Sequence, residues 1–87
     1  MKLKYHFETI IIENTIRMIP VGSEDFDGVV TVNETMKDIM DLLEEERTEE
    51  EVVSAMMEFY SGVSRDKMAL NVRKVCDDLR KDGLLEG

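Results

Sequence analysis

Val29-Val30-Thr31-Val32-Asn33-Glu34-Thr35-Met36 is the stretch at which this 87-residue chain changes its period. Up to Val32 the residues are β-branched and read as a strand. From Asn33 onward the apolar residues Met36, Ile39, Met40 and Leu43 fall at i, i+3, i+4 and i+7, which predicts a helix over residues 34 to about 45 with Asn33 as its N-cap. The boundary divides the chain into a β part and an α part.

Backward from it, Phe7 to Ile12 and Thr15 to Val21 are dense in β-branched and aromatic residues, and the pair Glu13-Asn14 between them is short enough for a hairpin turn. Asn14 tolerates positive φ. Pro20 donates no ladder hydrogen bond and marks the end of the second strand or an irregularity there. A glycine-bounded acidic loop, Gly22 to Gly28, leads into the third strand, Val29 to Val32. Forward from the boundary, Thr48 with Glu51 forms a capping box for a second helix whose buried stripe is Val52, Val53, Met56, Met57 and Tyr60, with Gly62 in the left-handed position after it. Ser64 caps a third helix with Met68, Val72, Val75, Cys76 and Leu79 on one face. Gly83 ends it, and Leu84-Leu85 fold back onto the core. Three strands followed by three helices predict an α+β fold, one domain over residues 1–87, with a small antiparallel meander packed on a helical cluster.

Twenty Asp and Glu against eleven Lys and Arg leave a formal charge of −9, with 43% apolar residues and one cysteine. No apolar run approaches the roughly 18 residues of a membrane helix, and the N-terminal stretch, expected to be frayed, lacks the apolar core of a signal peptide. The expectation is a cytoplasmic protein with no membrane partner. A charge of −9 repels phosphates unless the cations are segregated on one face.

Chemistry by common routes needs convergent groups, and few are present. His6 is the only imidazole, so no two-histidine metal motif can form within the chain. Cys76 lies on an apolar helical stripe and reads as a small hydrophobe. Glu24, Asp25 and Asp27 lack calcium-loop spacing, and no glycine-rich phosphate loop occurs. Met36, Met40, Met56, Met57 and Met68, five of the seven methionines, fall on helical stripes and read as core. These residues predict no catalysis, no metal and no cofactor.

The charge map is more specific. Residues 34–58 carry ten acids and two bases, whereas residues 64–83 carry six bases and four acids. On the third helix Lys67, Lys74 and Lys81 recur every seventh position along one flank with Asn71 and Asp78, Arg73 and Arg80 line the other, and Leu70 points outward between them. The run from Glu44 to Glu51 reads as a solvated turn whose acids cap the second helix. The meander leaves an unpaired edge on its last strand, Val29-Val30-Thr31-Val32, with no Lys or Pro to block it, and such an edge accepts an extended peptide as an added strand. Alternatively a neighbouring loop, the Leu84-Leu85 tail or a homodimer mate covers it.

Gly28-Val29-Val30-Thr31-Val32-Asn33-Glu34-Thr35, the helix of Ile39, Leu42 and Leu43, the segment Glu45-Glu46-Arg47-Thr48-Glu49-Glu50-Glu51-Val52, and Leu79-Arg80-Lys81-Asp82-Gly83-Leu84-Leu85 together resemble the PqqD family over about residues 5–86. These small proteins are associated with pyrroloquinoline quinone biosynthesis, and related domains recognise precursor peptides of ribosomally made, modified products. The resemblance implies a winged helix-turn-helix-like fold in which the leader of a precursor peptide adds as a strand to the third strand, in a groove shared with the third helix. Carried onto this chain, the peptide-binding residues are Val29, Val30, Thr31, Val32 and Asn33 with Lys67, Leu70, Asn71, Lys74 and Asp78. Many relatives have Gly where Met36 stands and Trp near Met40, so the first helix packs differently here.

The resemblance further implies a non-catalytic adaptor that delivers the peptide to a maturation enzyme, commonly a radical S-adenosylmethionine enzyme. A single cysteine leaves any iron–sulfur chemistry to that partner. The alternative is a winged helix DNA-binding regulator, supported by the basic third helix and opposed by the charge of −9. A third reading is a structural domain that dimerises through the free strand edge, so the chain is expected to be a monomer or a homodimer.

Overall fold

The computed structural model describes residues 1–22 and 28–87. The acidic loop expected between Gly22 and Gly28 therefore lies, in residues 23–27, outside the described residues. The elements are β1 (Lys2–Leu3), β2 (His6–Ile12), β3 (Thr15–Val21), β4 (Val30–Val32), α1 (Glu34–Leu42), α2 (Glu49–Phe59), α3 (Arg65–Lys81) and β5 (Leu85–Glu86).

β2, β3 and β4 form an antiparallel sheet in that order. The β2–β3 hairpin closes through Glu13 and Asn14, both at positive φ (51° and 64°). Two consecutive positive φ values define the turn whose twist matches that of the flanking strands. Its register sets Ile12 opposite Thr15, Ile11 opposite Ile16 and Phe7 opposite Pro20. β4 covers only Ile16 to Met18 of β3, so Pro20 lies beyond it, where a missing amide is tolerated.

Local chemistry sets the helix starts. Asn33 accepts from the Met36 amide at 2.8 Å, Ser64 caps α3 through the Lys67 amide, and both halves of the Thr48–Glu51 capping box are present. Reception of the Thr48 amide holds the Glu51 carboxyl below its ordinary range. The helix ends depend more on tertiary partners. α1 stops at Leu42, about three residues short of the expected end. There Arg47 donates from Nε to the Leu42 carbonyl at 2.8 Å, and the Leu3 amide donates to the Leu43 carbonyl at 2.9 Å. These contacts satisfy carbonyls that another helical turn would otherwise have paired. α2 ends at Phe59, so left-handed Gly62 (φ 78°) follows one residue later than the position next to the cap. α3 closes as expected. Gly83 adopts φ 74°, its amide donates to the Arg80 carbonyl and the Leu84 amide to the Leu79 carbonyl, the paired bonds of a Schellman turn.

That turn aims Leu84 and Leu85 inward, where they are buried. It also forms β5, which pairs with β1 so that Leu3 lies opposite Leu85. The N-terminal stretch is consequently not frayed: Leu3 is buried and the Lys4 amide donates to the Leu84 carbonyl. The alternation Leu3, Tyr5, Phe7 carried this signal in the sequence. Tail residues Leu85 and Glu86 are thereby occupied with β1 and leave the β4 edge alone.

The core joins Met18 and Val32 of the sheet to Ile39, Met40, Val52, Met56, Met68, Val72, Cys76 and Leu79 of the helices. Met36 and Met57 pack half-buried against it. No helix is long and apolar enough to cross a membrane among the described residues. Cys76 is fully buried, and burial raises its thiol pKa.

Two outcomes follow from this packing. Leu84→Ala removes a fully buried side chain that holds the tail on the core, and a loss of roughly 2–5 kcal/mol is expected in urea unfolding. For Cys76 the folded state retains the proton longer than the unfolded chain, whose thiol titrates near ~8.5. Stability is thus unchanged by this group below that pH and falls as pH rises above it. The native thiol is expected to resist alkylation at neutral pH and to react at once in denaturant.

Candidate functional site

The expected site combines a strand edge with a helix flank. β4 pairs with β3 on its inner side, setting Val32, Thr31 and Val30 opposite Ile16, Arg17 and Met18. Its outer side pairs with no strand among the described residues. Because side chains alternate, Val32 is buried in the core and Val30 half-buried, while Thr31 is exposed beside Arg17 on the opposite face. Val29, just before the strand, is 53% exposed. Val32 therefore offers a ligand no side chain, and Asn33 is occupied as the α1 cap.

On α3 the two flanks differ in what they touch. Arg73 donates from Nε to Glu49 at 3.1 Å, and this carboxylate raises the guanidinium pKa. Arg65 donates to the Ser54 hydroxyl at 3.0 Å and lies 3.9 Å from Glu50. The arginine flank thus faces the acidic start of α2. Arg80 pairs along its own helix with Asp77 at 3.2 Å. Lys67, Asn71, Lys74 and Asp78 are exposed, and their side chains enter no hydrogen bond or ion pair among the described residues. Backbone periodicity sets this flank on the far side of the buried stripe from Arg73.

Leu70 behaves differently from its expected companions. It is 70% exposed and lines a cavity of about 650 Å³ between α2 and α3, with Val53 and Ala69 below it and Glu49, Arg65 and Arg73 at the rim. Lys67, Asn71, Lys74 and Asp78 are absent from that lining. The expected helix wall is accordingly divided between two surfaces. The charged residues form a flank with no side-chain partner among the described residues, and Leu70 belongs to the α2–α3 cleft. Sequence spacing identified Leu70 as outward but could not name the α2 residues that complete its surroundings.

The remaining candidates behave as bland structure. His6 lies 3.3 Å from Glu44 on the surface. Tyr60 donates its hydroxyl to Asp38 at 2.5 Å, tying the end of α2 to α1, and that hydrogen bond raises the phenol pKa. No group of three potential metal ligands converges among the described residues.

Comparison with known proteins gives the site its context. No curated protein matches the chain in sequence. A solved structure described as TbiB1 in complex with the TbiA(beta) leader peptide superposes with a TM-score of 0.74 at 25% identity, covering 100% of this chain and 96% of that one. The family model for coenzyme PQQ synthesis protein D matches residues 15–85, from β3 through all three helices to β5. With that match over most of its length, and the three-stranded sheet and three helices in the same order as in the structural relative, the chain belongs to the PqqD family.

Proposed function

We propose that this protein is an adaptor that binds the leader of a ribosomally made precursor peptide by strand addition to the outer edge of β4 and delivers it to a modifying enzyme. The observation that carries the reading is the β4 edge, unpaired among the described residues, in a fold shared with a protein solved in complex with a leader peptide. Backbone amides and carbonyls of Val29 and Thr31, which alternate with the Val30 and Val32 groups turned toward β3, supply the ladder bonds. Apolar leader side chains enter between sheet and α3. The Lys67 and Lys74 ammonium groups, which meet no internal partner among the described residues, attract leader carboxylates and speed encounter. The chemistry belongs to the enzyme, for which a radical S-adenosylmethionine protein is the proposed class, because one buried cysteine cannot hold an iron–sulfur cluster.

A winged helix DNA-binding role fits the electrostatics less well. The overall charge is −9, and the two arginines at the start and middle of α3 face α2 carboxylates. What remains for phosphate is a short lysine row beside Asp78.

Titration of a fluorescent precursor leader tests the reading. Saturable binding is expected, with hydrogen-exchange protection appearing at alternate amides of β4. Absence of binding at high micromolar protein, with the modifying enzyme also present, would overturn it. The double change Lys67→Glu, Lys74→Glu alters only exposed side chains and is expected to weaken affinity by roughly threefold to tenfold at low salt. The salt dependence of the remaining binding should shrink in parallel.

A further inference from the structure

The sheet has a second open edge, and it is the longer one. β2 spans His6–Ile12 and pairs only with β3 among the described residues. Beyond Phe7 the strand is exposed on both faces: Ile10 is 41%, Ile11 63% and Ile12 52% exposed. Three consecutive exposed isoleucines on a strand paired along one edge only, with no Lys, Pro or bulge, form an edge of the kind that proteins normally block. We propose that the edge is covered by a second copy of this chain, joined antiparallel, β2 to β2, about a two-fold axis through Ile11.

Symmetry and charge select both occupant and register. A two-fold axis perpendicular to the sheet leaves each face on its own side, so the strand must be centred on a residue that meets itself. Centring on Ile11 sets Ile10 opposite the second copy's Ile12, so every isoleucine of the triplet meets an isoleucine. The flanking pairs are then Thr9 with Glu13 and Glu8 with Asn14, and no like charges oppose each other. Centring on Ile10 would set Glu8 against Ile12 and Phe7 against Glu13. Centring on Ile12 would set Ile11 against Glu13. The Ile11 register also continues rows already present in the sheet, because Ile11 lies opposite Ile16 and Ile16 opposite Val32. The axis therefore extends one apolar row across both copies.

The overall charge of −9 does not stand in the way locally. The β2–β3 hairpin carries only Glu8, Glu13 and Arg17 besides His6, while ten acids lie in residues 34–58. Since β2 and β4 are opposite edges of one sheet, the dimer leaves the β4 edge open.

Sedimentation of the full chain from about 1 to 100 µM, a range spanning ordinary homodimer affinities, reads the proposal directly. The wild type is expected to shift from the 10.0 kDa chain mass toward twice that value. Ile11→Lys, which changes a largely exposed residue, is expected to stay at the chain mass throughout, with the melting curve the wild type shows when dilute enough to be monomeric and unchanged affinity for the leader. Ile11→Cys should form an intermolecular disulfide on mild oxidation, because residues paired across an antiparallel ladder lie within about 4.5–5.5 Å at Cα. Ile10→Cys, displaced from the axis, should cross-link at least roughly fivefold less, since diagonal neighbours stand about 7–8 Å apart. A wild type that remains monomeric at the highest concentration overturns the proposal, including the case in which Ile11→Lys instead weakens association with a modifying enzyme. A dimer that survives Ile11→Lys overturns it equally.

Discussion

β3 is the only strand with partners on both sides among the described residues, and the layout of the protein follows from it. Its side chains alternate, so Ile16 and Met18 enter the core while Arg17 and Ile19 face away. That alternation admits one packing of the sheet on the helices, because a slip of one residue would carry Arg17 into the core. Once β3 is held in this way, β2 and β4 are necessarily edges. The short edge on β4 and the long edge on β2 are consequences of the same centred strand.

Charge is distributed on a similar principle. Acids gather at the start of α2, where they favour the positive end of the helix, and Arg65 and Arg73 of α3 turn toward them. The lysines of α3 fall on the other flank and pair with no acid among the described residues. Arginine suits the first role because its planar fork holds a carboxylate in fixed geometry, whereas lysine is a mobile point charge suited to transient attraction. A chain of net −9 can therefore present a locally basic strip.

What could be read from the sequence was what is decided within a few residues. Asn33, Thr48 and Ser64 cap their helices because each hydroxyl or amide reaches an amide three residues on. Glu13-Asn14 turns the hairpin and Gly83 closes α3, both through local backbone conformation. The misses were non-local. The pairing of Lys2–Leu3 with Leu85–Glu86 joins opposite ends of the chain, and nothing near Lys2 announces it except a short alternation. α1 ends early because Arg47 and Leu3 reach its last carbonyls, a fact invisible to a periodicity count. At the candidate site the strand edge and the lysine flank were legible, whereas the companionship of Leu70 with α2 was not.

The order of the three sheet strands and three helices, the helix caps and the excess of acid over base were determined by the sequence alone, since each depends on neighbours in the chain or on composition. Exposure was decided by the tertiary structure. Ile10, Ile11 and Ile12 are as apolar as Ile16 and Ile39, and only the reach of the helices under the sheet separates the buried pair from the exposed three. A hydrophobic side chain carries no record of whether the fold extends far enough to cover it.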